Sequence, residues 1–331
     1  MNIGILIFII SWILLFISSK WLVKGVSDMA KFLGWREFII SFFVVAVVGS
    51  VPNLFVGIIS ALHKIPQLSL GDIIGGNLID LTLVVSLAAL FAKNGLPAKS
   101  KTVQTSAIFT MIIAILPVVL ISDGILGRID GIILFLFFAF YIIWVFSKKE
   151  RFSLKKDEEG KEEKINDLEN LHPSLEFIDT LRKFTRSTAK TIVGSILMAI
   201  SASGIVNSSI QIIHSFNIYP IIFGTLIVSL GNCLPDIFFS VSAAKEDDTW
   251  ETLGDLMGSV MVTGTLVLGI VAIIYPITLP AVSYFLIARI FLIVASLFFL
   301  FFIRTERTIT KKEAAILLFT YIVFILIVIF S

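Results

Sequence analysis

The sequence predicts an all-α membrane protein: ten transmembrane helices arranged as two inverted five-helix repeats. Three observations lead there. The composition is extremely apolar, ten apolar stretches reach membrane-spanning length, and the chain matches itself at one constant offset. Of 331 residues, 57% are hydrophobic and 15% charged, with a mean hydropathy of +1.00. Soluble chains carry roughly a quarter charged residues, so this one could not cover itself with polar surface in water. The single cysteine, Cys233, excludes an intrachain disulfide; with only three histidines it cannot furnish the usual Cys/His zinc site.

A helix needs about 20 apolar residues to cross the bilayer core. Such stretches lie near 3–19, 37–62, 70–92, 103–121, 126–146, 190–212, 219–244, 252–275, 281–303 and 313–330. The first run, Ile3 to Ile17, has no positive segment before it, and Lys20 and Lys24 follow it. That reads as a first span with its N-terminus outside, not as a removable leader. A highly charged stretch from Lys148 to Arg186 separates five spans from five. The expected organisation is a first five-helix repeat at 1–147, a solvated cytoplasmic loop at 148–189, and a second five-helix repeat at 190–331. With the N-terminus outside, Lys20, Lys24, Lys31, Arg36, Lys93, Lys99, Lys101, the central segment, Lys245, Arg304, Arg307, Lys311 and Lys312 fall on inner loops. Only Lys64 and Arg128 fall on outer ones. Basic residues favour the cytoplasmic side, so the expectation is a multi-pass protein of a cell membrane with both termini outside.

Sliding the chain by 183 residues aligns Ile17–Val84 with Ile200–Val267 without a gap. Pro52 falls on Pro235, Leu70-Gly71-Asp72 on Leu253-Gly254-Asp255, Gly75 on Gly258, and Thr82-Leu83-Val84 on Thr265-Leu266-Val267. Leu, Ile and Val match by chance in apolar sequence; Pro, Gly and Asp do so far less. Five spans separate the repeats, an odd number, so the two copies must sit in the membrane upside down to one another. Inverted repeats are a signature of secondary transporters, with the ion site at the midplane between the halves.

The polar residues inside the spans point to that site. The second span holds Gly49-Ser50-Val51-Pro52-Asn53 and the seventh Gly231-Asn232-Cys233-Leu234-Pro235-Asp236. A proline inside a helix removes one backbone hydrogen bond and frees a carbonyl, tolerated in a membrane only toward protein or a wet cavity. Hard cations want such oxygens. Residues three and four apart share a helix face, so Asp236, Cys233 and Asn232 form one polar stripe and Asn53 with Ser50 a lesser one. In the third and eighth spans Asn77 pairs with Asp80 and Ser259 with Thr263 in the same way. A carboxylate at a helix centre costs at least about 2.5–3.5 kcal/mol on insertion scales. Asp80 and Asp236 are therefore expected to hold a cation, unless a base such as Arg289 pairs with them. Asp72 and Asp255 are expected near helix starts, as caps or at the rim of the site.

These motifs resemble those of the calcium/cation antiporter superfamily, which includes Na⁺/Ca²⁺ and Ca²⁺/H⁺ exchangers. That family has two repeats, each with a G-T-S-x-P-E/D-like element followed by G-N-x-x-G-S-N-x-x-N/D. Here the first elements are GSVPN and GNCLPD, and the second are GDIIGGNLID and GDLMGSVMVT. GNCLPDIF also resembles the G-N-G-x-P-D-I-F variant of the cation/Ca²⁺ exchanger branch. The resemblance implies a sodium/calcium exchanger-like fold. It places the family's central acidic positions on Asn53 and Asp236, its second-element polar positions on Asp80 and Thr263, with Gly76 and Ser259 four residues earlier, and its kink hydroxyl positions on Gly49, Ser50, Asn232 and Cys233. The first-repeat carboxylate is thus an asparagine, and Asp80 stands where asparagine is common.

The expected function is secondary active cation antiport by alternating access, with Ca²⁺ driven by Na⁺ or H⁺. Asp80, Asp236, Asn53, Ser50, Asn77, Asn232, Cys233, Ser259 and Thr263 form the expected ion-binding set. Spans one and six, the less polar ones, are expected to slide against the rest. The expected partners are inorganic cations and the lipid bilayer, with no nucleic acid, no covalent cofactor and no enzymatic activity. A cation channel or sensor, or a transporter of another cation, on the same fold is the main alternative. An intramembrane aspartyl protease is a remote one, because Ser69 and Thr252 occupy the first glycine of the required Gly-x-Gly-Asp.

Overall fold

The computed structural model of the chain describes residues 2–32, 47–147, 173–245, 249–279, 283–305 and 307–330. The start of the expected second span (37–46), much of the charged segment (148–172) and the first residues of the ninth span lie outside them. Among the described residues the chain is almost wholly helical. The helices are α1 (Asn2–Phe32), α2 (Val51–Leu62), α3 (Pro66–Phe91), α4 (Lys101–Leu120), α5 (Arg128–Ser147), α6 (Pro173–Phe216), α7 (Pro220–Lys245), α8 (249–274), α9 (Ser283–Thr305) and α10 (Lys311–Phe330). Eight of these are long and apolar enough to cross a bilayer. Each helix falls on one of the ten expected spans.

Two boundaries differ widely: α1 runs on to Phe32, well past the expected end near 19, and α6 begins well before 190. Helix α6 starts at Pro173, not near 190, and runs for 44 residues. At 1.5 Å per residue that is about 66 Å, twice the hydrocarbon thickness of about 30 Å. Its N-terminal part carries Arg182, Lys183 and Arg186. Apolarity marks where a helix meets lipid, not where it ends, so an apolar window misses the polar extension.

The repeat recurs in backbone geometry. Helix α3 widens into a π turn at Asp80–Val84 and α8 into another at Val262–Val267. Advancing 80–84 by 183 gives 263–267, so the two bulges coincide within a residue. A third π turn, Gly224–Val228, precedes the polar stripe of α7. Such bulges recur at functional sites because they re-aim side chains and loosen local hydrogen bonding.

Four two-residue strands show that the halves are inverted. They are β1 (Leu96–Pro97), β2 (Ile125–Leu126), β3 (Ile277–Thr278) and β4 (Thr308–Ile309). β1, between α3 and α4, pairs antiparallel with β4, between α9 and α10. β2, between α4 and α5, pairs antiparallel with β3, between α8 and α9. The loop before α4 therefore meets not its own repeat counterpart, the loop before α9, but the next loop. One helix separates β1 from β2, so the two ladders sit at opposite ends of the bundle. Equivalent loops of the halves lie at opposite ends too.

The apolar interior divides into two cores. The larger is built from α2–α5 and α7–α10 and, among the described residues, includes none of α1 or α6. In the smaller, Leu15 and Leu22 of α1 meet Met198, Ala202, Ile205, Val206 and Ile213 of α6, against Val56, Leu68, Phe223 and Val228. Helices α1 and α6 run antiparallel on small residues. Gly4, Ser11, Ser18 and Gly25, seven apart, are buried on α1, as are Ser187, Gly194, Ser201 and Ser208, also seven apart, on α6. In lipid no hydrophobic force joins helices, so such residues supply close backbone approach instead. The α3–α7 crossing uses the same device. A Cβ on Gly71 would strike the carbonyl of Ile221, one on Gly75 that of Thr225, and one on Gly224 that of Leu68.

Candidate ion-binding site

The α3–α7 crossing sets Asp80 against the polar stripe of α7. Asp80 opens the π turn of α3 and is 2% exposed. Cys233 and Asp236 lie three residues apart on α7. One carboxylate oxygen of each aspartate and the Cys233 Sγ all lie within 4.8 Å of one another. Asp80 also interacts with the side chain of Ser259 on α8. Its Oδ1 is fully buried with no hydrogen-bond partner among the described residues. Asp72 and Asp255 are close enough to Asp80 to repel it, and Asp255 likewise repels Asp236. Buried negative charge of this density is stable only when something positive shares it.

Arg289, the base the sequence offered as a partner, does not supply that charge. Arg289 on α9 donates to the carbonyl of Val118 at 2.9 Å and lies over the Phe285 ring, 5.4 Å from its centroid. It closes the C-terminal end of α4, a favourable place for a cation. Among the described residues, no lysine or arginine pairs with Asp80 or Asp236.

Around the two aspartates the halves are laced together. Asn77 of α3 accepts from Thr263 Oγ1 of α8 at 2.8 Å; the same hydroxyl lies 2.8 Å from the Ser259 carbonyl, so one proton has two acceptors. Asn232 of α7 donates through Nδ2 to both oxygens of Asp72, at 2.9 and 2.8 Å, leaving its Oδ1 buried and without a partner among the described residues. Cys233 points its thiol at the Gly76 carbonyl at 3.7 Å.

The prolines act differently in the two halves. Pro52 sits in the first turn of α2, which starts after Ser50. Pro235 lies within α7, which continues unbroken through it. Having no N–H, Pro235 leaves the Gly231 carbonyl without its i+4 donor. At that glycine the indole of Trp12 from α1 packs so closely that an added Cβ would lie 2.6 Å from its ring atoms.

The structure thus brings Asp80, Cys233, Asp236 and Ser259 into one cluster, with Asn77 and Thr263 joined beside it. Asn232 is adjacent but turned to Asp72. On α2, Ser50 is buried and Asn53 half-buried; among the described residues no hydrogen bond joins Asn53 to the cluster. The expectation of Asp72 and Asp255 as helix-start caps is corrected. Helix α3 starts at Pro66, with its N-cap at Ile65, and α8 starts at Thr249, so both aspartates lie inside helices. Proline is favoured at the first helical position, and Pro66 was the signal that Asp72 lies well inside. Sequence reasoning missed Asp72 as the partner of Asn232, because the bond joins residues 160 apart.

The model of the sodium/calcium exchanger protein family matches residues 3–147 and 187–330, one stretch in each half. Among relatives, the sodium/calcium exchanger MaX1 of Methanosarcina acetivorans is 24% identical over 98% of both chains. The inner membrane protein YrbG of Escherichia coli is 22% identical over 88% of this chain and 86% of its own. Among solved structures, one of the sodium-calcium exchanger NCX_Mj superposes with a TM-score of 0.64 at 23% identity, covering 97% of each chain.

Proposed function

This chain belongs to the sodium/calcium exchanger family, and we propose that it is a secondary active antiporter that moves Ca²⁺ against Na⁺ at the Asp80–Asp236 site. The observation that carries this reading is the meeting of two carboxylates, the buried Asp80 and the half-buried Asp236, one from each inverted half, with no basic partner among the described residues. Two carboxylates balance one Ca²⁺. Their oxygens, with the Asn77 and Asn232 amides and the Ser259 and Thr263 hydroxyls around them, are the hard donors Ca²⁺ and Na⁺ prefer, and Ser50 and Asn53 are assigned to the same set by their place in the repeat. One ion at a time satisfies the repulsion between Asp80 and Asp236, so the two ions compete and exchange follows.

Alternating access is assigned to the α1–α6 pair. Its small-residue seam and its absence from the larger core among the described residues support sliding as a unit over the α2, α3 and α7 residues it packs against. Trp12 rests on Gly231, one residue from Asn232, so movement of α1 is felt at the site. In orientation, both termini lie outside and the charged segment is cytoplasmic, as the basic residues favour.

The test is ⁴⁵Ca²⁺ uptake into proteoliposomes loaded with Na⁺, or set to an outward proton gradient, or neither. Uptake that requires internal Na⁺ supports the reading. Uptake driven by the proton gradient alone would change the counter-ion, and gradient-independent flux would make the protein a channel.

A further inference from the structure

Cys233 is the one site residue whose chemistry is soft. The equivalent residue of the other half, 183 positions earlier, is Ser50, a hard oxygen donor. Cys233 is 3% exposed, and its sulfur lies within 4.8 Å of a carboxylate oxygen of both Asp80 and Asp236. Its thiol makes a long contact with the Gly76 carbonyl, 3.7 Å away, and its side chain also bonds to Asp80. Asp80, whose Oδ1 is buried and has no hydrogen-bond partner among the described residues, belongs to the same group. Ca²⁺ and Na⁺ gain little from sulfur, whereas thiolate ligands select soft or borderline metals.

We propose that Cys233, with Asp80 and Asp236, makes this site a trap for thiophilic divalent cations of the cadmium and zinc class. The step is a ligand exchange without redox change. The metal forms a bond to Cys233 Sγ, the S–H bond breaks, and the proton leaves to solvent along the ion path. Three anionic donors then hold the dication where the hard ions are held by oxygen alone. A metal–thiolate bond makes the bound ion slow to leave, so such a cation blocks exchange. The blocking arm rests on the antiport reading; the metal binding does not.

The experiment uses the full chain and Cd²⁺ as the probe. Purified protein titrated with Cd²⁺ should show a sulfur-to-cadmium charge-transfer absorption that is absent in Cys233→Ser and weakened in Asp80→Asn. In proteoliposomes, the Cd²⁺ concentration that halves Ca²⁺ uptake, divided by the KM for Ca²⁺ of the same variant, should rise about ten-fold or more in Cys233→Ser, as for one lost strong ligand. Cys233→Ala, which removes the donor altogether, should match it. Because the readout is a ratio, a loss of folded protein does not shift it. Absence of the absorption in the native protein, or equal ratios in all three proteins, overturns the proposal. If the absorption appears without any Ca²⁺ flux, the antiport reading fails and the metal site stands.

Discussion

Helix α3 places Asp80 on the first residue of its π turn, and α8 places Thr263 at the matching point of its own. Helix α2 carries Asn53 one residue after its proline, and α7 carries Asp236 one residue after its own. Each half thus contributes one acid and one neutral polar residue, but on opposite elements. The duplicated backbone supplies four equivalent positions, and the substitutions decide which of them hold charge. Packing differs likewise. Gly71 is pressed against the backbone of α7, while its counterpart Gly254 has nothing within 4 Å of an added Cβ.

Neutralising either acid should have the largest effect. Asp80→Asn and Asp236→Asn should each weaken apparent Ca²⁺ affinity in flux assays by about 100-fold or more, since uncoupling a buried charge from its partner costs about 3–5 kcal/mol. Retained affinity in either variant would break the one-acid-per-half comparison. Adding an acid sharpens it: Asn53→Asp, at the repeat position of Asp236, should tighten Ca²⁺ about ten-fold by giving the proposed set a third carboxylate. The glycine pair tests packing alone. Gly71→Ala should lose about 1–3 kcal/mol of stability, as overpacking does, and melt earlier, whereas Gly254→Ala should melt with the parent protein. Thr263→Val, which removes the hydroxyl bonded to Asn77, should cost about 1 kcal/mol and shift Ca²⁺ affinity only a few-fold.

Much of this architecture is legible in the chain. Apolar length locates the helices because the bilayer imposes it, and the constant offset reveals the inversion because five is odd. The stripe rule brings Cys233 and Asp236 together, and the cost of buried charge singles out Asp80. What stays hidden depends on contacts between the halves. The division of the α7 stripe, with Asn232 turned to Asp72 and Cys233 toward Asp80, follows from the depth at which α3 crosses α7. The π turns leave no periodic trace, because a single bulge alters the register of one turn only. The small-residue seam of α1 and α6 is written in the sequence at a spacing of seven, but small residues are common in apolar helices and gain meaning only from the facing helix.

Antiport at a shared site requires that the two ions exclude each other, and equilibrium binding tests this most directly. Purified protein should bind ⁴⁵Ca²⁺ saturably, added Na⁺ should displace it competitively, and the Asp80→Asn/Asp236→Asn double variant should lose the binding. Ca²⁺ binding that persists in the double variant, or that is indifferent to Na⁺, would contradict the account.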